Sequence, residues 1–314
     1  MEMDLSTVRQ LAEECRNWGR WGDDDEIGTL NYVTAERVAR AASLVRRGDV
    51  FSLAVPLDAA ISQRAAGRFD PVHTMIMSGT DAVAGAQAHL SVMRYADDLI
   101  ATPTHCATHW DALSHVFDGD RMYMGRAAAL VSTRGAGRNG IDRTRERIIG
   151  RGVLLDIARD RGVEFLEPGE PIGEADLERC CRNQSVQVER GDFLLVRTGH
   201  IGRARSLGTW EGFAGGPAPG LSLLTARWLH RLEVAAVAAD TWAVEVIPNE
   251  TPDVFNPWHI VVIPAMGLLV GETFDLDALA ADCARDGVYE FLLAAPALVL
   301  PGAVGSPVNP LAVK

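Results

Sequence analysis

A chain of 314 residues with 47% hydrophobic and 23% charged residues has ordinary globular composition and length enough to bury a large core. Its formal net charge of -12 leaves no basic excess to displace counterions, which argues against nucleic acid and anionic membrane partners. No apolar run reaches the roughly 18 to 20 residues of a membrane helix, and Met1 to Arg20 carries no apolar leader core, so a cytoplasmic protein is expected. The five cysteines are scattered, with Cys180 and Cys181 adjacent, as in reduced intracellular proteins.

Leu5, Val8, Leu11 and Ala12 recur at helical spacing and predict a first helix, ended by the polar W-G-D-D-D-E stretch from Trp21 to Glu26. Thr34 is placed to cap a second helix running through Arg47, with Glu36 and Arg40 spaced as an i,i+4 pair and Gly48 closing it. Residues 1–48 therefore read as a helical N-terminal arm, in which Trp18 and Trp21 either dock the arm on its own chain or carry it to a neighbouring subunit. From Val50 the pattern turns to strands, first F-S-L-A-V-P-L, then Val72 to Met77 and Leu90 to Met93. His73 lies in P-V-H-T-M and is a candidate to line a pocket.

The stretch T-H-C-A-T-H-W-D-A-L-S-H, Thr104 to His115, holds three of the eight histidines and one aspartate. Neutral imidazoles and a carboxylate suit a divalent ion such as Zn²⁺ or Mn²⁺. His105 and His109 would share a helix face, but Asp111 would lie about 200° round from His109. On an extended chain His105, His109, Asp111 and His115 all point one way, yet the outer two would stand roughly 33 Å apart. The segment must bend around a metal, with His105, His109 and Asp111 as the inner set and His115 at its edge. Cys106 points the other way and reads as a buried bystander.

Further on, the small, flexible Ala127 to Gly140 is a loop, V-L-L-D-I from Val153 a buried strand, and a helix opens near Glu174. Phe193 to Thr198 is a strand whose end places Arg197 and His200 where functional groups commonly lie. A helix over Ser222 to Leu232 leads to V-A-A-V-A-A-D, ending at Asp240. His259 then precedes an apolar run read as a strand, with Glu272 after a glycine turn, so that the two bracket a strand and turn at one end of the sheet. A helix to Arg285 and a strand at Ala297 to Leu300 finish a single domain built on a mixed sheet.

The Thr104 to His115 segment resembles the signature H-x-G-T-H-x-D-x-P-x-H of the cyclase family of metal-dependent hydrolases, which includes bacterial kynurenine formamidase and isatin hydrolase. Ala107 stands where glycine is usual and Leu113 where proline is usual, and neither is a ligand position. W-G-D-D-D-E-I-G-T-L-N, D-F-L-L-V-R-T-G, V-A-A-D-T-W-A-V-E and the His259 to Glu272 segment are similar to stretches of the longer members, in order. The resemblance implies a swivelling β/β/α fold, an α/β class with a barrel-like mixed sheet flanked by helices, and a homo-oligomer, dimer or tetramer. It also implies one or two ions, Zn or Mn: His105, His109 and Asp111 hold the principal one, while Asp111, His115, His259 and Glu272 occupy second-ion or proton-transfer positions.

The chemistry expected is hydrolysis of a C–N bond in a small cyclic amide or aryl formamide. His115, assisted by Glu272, would move the proton, because imidazole titrates near working pH. Trp110, Trp242, His73 and Phe69 are candidates for a wall against a planar ring, and Arg197 for a carboxylate clamp. A lyase or dehydratase-cyclase on the same metal would yield a product without added water, and a non-catalytic metal scaffold would need no proton-transfer group.

Overall fold

The computed structural model describes residues 3–58 and 67–314. Among these residues the fold is organised by a mixed nine-stranded sheet. In chain order its strands are β1 (Val50–Ser52), β2 (His109–Asp111), β3 (Ile149–Asp156), β4 (Phe193–Arg197), β5 (Ala236–Ala239), β6 (Leu269–Glu272), β7 (Glu290–Ala294), β8 (Gly305–Pro307) and β9 (Leu311–Val313). In space they run β1-β9-β7-β3-β4-β5-β6-β2-β8. The stretch from β3 to β6 is parallel, and every other junction is antiparallel. Parallel strands are covered on both faces and read as unbroken apolar runs. The cores of β3, β4 and β5 are buried accordingly. The sheet curls into a half-barrel flanked by helices, the α/β class expected from the sequence.

The short β2 is what brings the candidate ligands into this frame. It lies between β6 and β8, with His109 opposite Glu272 and Pro307, Trp110 opposite Gly271 and Ser306, and Asp111 opposite Val270 and Gly305. Successive residues of a strand face opposite ways. His109 and Asp111 therefore share one face, while Trp110 enters the core, fully buried, edge-on to Phe274 at 4.9 Å and with its indole N–H donated to the Ala295 carbonyl at 3.0 Å. Glycine at 271 makes room for it: a Cβ there would stand 2.6 Å from the Trp110 ring.

The N-terminal helix, Leu5–Glu14, buries Val8, Leu11 and Ala12. Beyond it Asn17 Nδ2 donates to the Met266 carbonyl and Trp18 Nε1 to the Pro264 carbonyl. Trp18 thus docks the segment on its own chain, against the helical stretch that carries His259, and Trp21 packs edge-on against Tyr32. Among the described residues no helix is long and apolar enough to cross a membrane.

Four local expectations are corrected. Thr34 does cap the second helix, accepting from the Arg37 N–H, but the helix is Ala35–Ala42 and stops short of Arg47. The Ser43 hydroxyl takes the Arg40 carbonyl at 2.7 Å, a local bond that competes with helix propagation, and Arg40 pairs with Glu189 instead of Glu36. Leu90 to Met93 is no strand, because Gln87 bonds both the N–H and the carbonyl of Tyr95 and closes the stretch into turns. The partner of Val72–Met77 is Asp97–Ala101. Ala297 to Leu300 is irregular chain before the turn at 301–302, tied by Leu298 N–H to Ser306 Oγ, and the strand precedes it as β7. His259 does not precede a strand: Pro257–Ile260 is helical and passes into a wide π-helical turn, Val261–Met266, buried throughout.

Candidate metal centre

The turn at 104–108 and β2 bring the dense segment into one place, bent as its spacing requires. Thr108 pins the bend. Its hydroxyl donates to the Thr273 carbonyl at 2.6 Å and accepts from the Val55 N–H at 3.0 Å, tying the turn to the end of β6 and to the chain after β1. Ala107, where the family signature has glycine, adopts φ +55°. This left-handed conformation costs a residue with a Cβ about 1 kcal/mol and glycine nothing, which explains the usual glycine. The alanine keeps the same turn. Ala107→Gly is expected to leave stability within about 1 kcal/mol, since relieved strain offsets added unfolded-state entropy. Ala107→Val, β-branched at that φ, is expected to lose both stability and metal; thermal melting with elemental analysis reads both.

Four buried side-chain atoms converge without a hydrogen-bond partner: His105 Nε2, His109 Nε2, Asp111 Oδ1 and His259 Nε2. Asp111 Oδ1 stands 3.4 Å from His105 Nε2 and 3.5 Å from His109 Nε2, and its Oδ2 4.0 Å from His259 Nε2. Glu272 reaches both flanks, with Oε2 3.3 Å from His109 Nε2 and Oε1 3.4 Å from His259 Nε2. The distal ring nitrogens are already used. His109 Nδ1–H donates to the Ala107 carbonyl at 2.9 Å, and His259 Nδ1–H to Glu245 Oε1 at 2.5 Å. With Nδ1 donating, each ring in its neutral form aims an Nε2 lone pair inward, the tautomer that a metal ligand needs, and a bound cation would take the place of the Nε2 proton. Gly305 leaves the space for His105, since a Cβ there would stand 2.4 Å from Nε2. His115 returns over His105, stacked at 3.9 Å between ring centroids.

Two overlapping groups have ligand atoms within 4.8 Å of one another: His105, Asp111 and His115, and Asp111, His259 and Glu272. The charges show what the cluster lacks. Burial resists charging His109, yet the Asp111 and Glu272 carboxylates raise its pKa to about 9; His259, equally buried, is raised to about 10 by Glu245 and Glu272. Burial opposes ionising Asp111, but the surrounding imidazoles hold its carboxyl well below the usual range. Burial also keeps His105 and His115 neutral, lowering both. Buried carboxylates amid inward lone pairs are the donor set that a divalent cation satisfies, and the residues present fit one.

Glu245 was missed by sequence reasoning. It is buried and also accepts from the Trp258 and His259 N–H groups at 3.1 Å each, so it orients the whole turn that carries His259. Val244 before it sits at φ +57°, a rare conformation for a β-branched residue and one that aims the following side chain inward. The available signal was an acid inside the apolar run A-V-E-V-I. Other named residues fall elsewhere. His73 stands on an exposed hairpin, paired with Asp98 at 2.6 Å, and Phe69 is exposed beside it. Arg197 is taken up by Asp156 and Asp277, each at 2.9 Å. Trp110 is core, whereas Trp242 joins an apolar cluster that includes Ala107.

His200 opens the helix His200–Leu207 beside that cluster, and burial lowers its pKa to about 4. The folded state keeps this ring neutral while the unfolded chain protonates near 6.5, so its stabilisation is present above pH 6.5 and lost as pH falls towards 4. By pH 5 the loss is about 2 kcal/mol. His200→Phe is expected to show a correspondingly smaller drop in urea midpoint between pH 7.5 and 5.

The Cyclase family model matches residues 34–246, and the chain belongs to that family of enzymes. The fold superposes on the crystal structure of a novel cyclase with a TM-score of 0.88 and 40% identity, over 96% of this chain and 100% of that one. It is also similar to isatin hydrolase A from Ralstonia solanacearum, at a TM-score of 0.61 and 19% identity, over 89% and 96% of the two chains. A structure described as a potential metal-dependent hydrolase with cyclase activity matches at a TM-score of 0.50 and 16% identity, over 84% and 98%. The last two likenesses establish the fold. No curated protein matches the chain.

Proposed function

We propose that this protein is a metal-dependent hydrolase that opens a C–N bond in a small cyclic amide or aryl formamide. The observation that carries this is the convergence of three unpartnered imidazole nitrogens, His105, His109 and His259 Nε2, on Asp111. The names borne by the isatin hydrolase and metal-dependent hydrolase neighbours point the same way. His105, His109 and Asp111 would hold a principal ion, Zn²⁺ or Mn²⁺, and Asp111, His115, His259 and Glu272 would either complete a second ion or serve proton transfer. Such an ion polarises a carbonyl and, as Zn²⁺, brings the pKa of water towards about 7. With a single ion bound, His115, neutral through burial, would be the group that takes the proton from the attacking water and returns it to the leaving nitrogen, with Glu272 assisting.

Elemental analysis of protein purified without added metal, with turnover of isatin and N-formylkynurenine, tests this directly. Zinc or manganese at one or two equivalents and a product heavier by one water are expected. A product of unchanged or lower mass would favour the lyase or dehydratase-cyclase alternative, and no bound metal would overturn both. We also propose a homo-oligomer. The Val72–Met77 and Asp97–Ala101 hairpin exposes Val72, Met75, Ile76, Leu99 and Ile100 together, and an isolated two-stranded hairpin is marginal in water. Light scattering is expected to show a dimer or tetramer, and Ile76→Glu a smaller species.

A further inference from the structure

A cation reaches the metal cluster from the chain that leads into the exposed hairpin. Arg68 Nη1 donates to the His105 carbonyl at 3.2 Å, so its guanidinium lies against the backbone of the turn that delivers the first ligand. Phe69 beside it is exposed, whereas Arg68 is half-buried. Burial is the main cause that lowers the pKa of His105 and His115, and the Arg68 charge adds to it at both rings. Of the described arginines and lysines, Arg68 alone is among the charges that act most strongly on His105, His109, Asp111, His115 and His259. Arg197 at the end of β4 and Arg205 in the helix after it are committed elsewhere, to Asp156 and Asp277 and to Asp275.

A bond to a neutral carbonyl pins a guanidinium without cancelling its charge. Pinning the turn asks for no charge at all, since an amide or hydroxyl side chain donates to a carbonyl equally well. What a guanidinium adds is a planar fork of five N–H donors that matches a carboxylate in two parallel bonds. Its place is also one-sided: it stands by His105 and His115, on the flank of Asp111 away from His259 and Glu245. The net charge of -12 opposes an approaching anion at long range, so an anionic substrate needs a cation placed at the site itself.

We propose that Arg68 is a specificity-determining residue of the metal centre, holding a carboxylate that the substrate carries beside, and distinct from, the amide that is cleaved. This rests on the hydrolase reading and narrows its substrate class from small amides in general to anionic ones. It is the clamp for which the sequence offered Arg197.

The test titrates three ligands calorimetrically into metal-loaded wild type, Arg68→Gln and Arg68→Lys. Acetophenone presents a ketone in place of the amide carbonyl, and 2- and 3-acetylbenzoate add a carboxylate at two distances from it. At least one acetylbenzoate is expected to bind the wild type about 10- to 100-fold more tightly than acetophenone. Arg68→Gln, whose amide can still donate to the His105 carbonyl, is expected to remove that preference, and Arg68→Lys, which keeps the charge but not the fork, to retain part of it. Elemental analysis is expected to find wild-type metal content in both variants. No binding or no preference in the wild type would overturn the proposal. So would a preference that survives Arg68→Gln, which seats the carboxylate on the ion, or loss of metal from both variants, which makes Arg68 a support for His105. Because none of the three ligands contains an amide, the outcome is independent of turnover. The expected pattern in a protein that cleaves no amide would remove the hydrolase reading alone, and amide cleavage without a carboxylate preference would remove the Arg68 anchor alone.

Discussion

Asp111→Asn is expected to empty the centre of metal and to lower amide hydrolysis by about 10³-fold or more, the loss of several kcal/mol of transition-state stabilisation. Asp111 faces both flanks of the cluster, with His105 and His109 on one side and His259 on the other, and unlike Glu272 it belongs to both groups of converging ligand atoms. Asparagine keeps the volume but removes the charge, and presents an N–H₂ where a cation would otherwise meet an oxygen. Folding should survive. The new amide can donate to an imidazole Nε2 that has no partner in the parent chain, so metal-free wild type and variant are expected to melt within a few degrees of each other. Elemental analysis, kcat/KM and a melting curve check the three statements together. Full metal content with activity within tenfold of wild type would exclude Asp111 as the shared ligand.

The ligand segment was legible because its information is local. Four ligand-type residues within twelve positions exclude a helix and a straight strand by geometry alone, and the turn before β2 is the remaining solution. The central strands were equally plain, since burial on both faces writes them as apolar runs. The surroundings of His259 were not. The run I-V-V-I-P-A-M is buried on every side, and a run without periodicity reads equally as strand or helix. Here the N-terminal segment docks against it through Asn17 and Trp18, contacts 246 and more residues distant in sequence, and a helical turn results. Trp110, a candidate wall residue in the sequence, was ambiguous for another reason. Sequence puts it beside two ligands, but the pleat sends it to the opposite face, where Gly271 has left a space. Distances along the chain gave the ligands their identity; the register between β2 and β6, which sets His109 against Glu272, exists only in the folded sheet.

Glu245→Gln is expected to weaken metal binding or activity by about 10- to 100-fold, the usual cost of removing a residue that orients a ligand. Glu245 accepts from His259 Nδ1–H and from two backbone N–H groups of the same turn, so one carboxylate fixes both the tautomer of His259 and the position of its backbone. In glutamine one oxygen becomes an N–H₂ group, which must face either the Trp258 N–H or the His259 pair, donor against donor in a buried site. The two flanks of the cluster should respond unequally. His109 keeps its own bond to the Ala107 carbonyl, and His105 lies on the far side of Asp111, so an ion held by His105, His109 and Asp111 is expected to stay. Metal titration of the variant therefore counts the ions. Retention of one equivalent with loss of a second would make His259 and Glu272 ligands. An unchanged single equivalent with lowered kcat would make them proton-transfer groups, whose placement depends on the Glu245 charge and on the strained backbone at Val244 that delivers it.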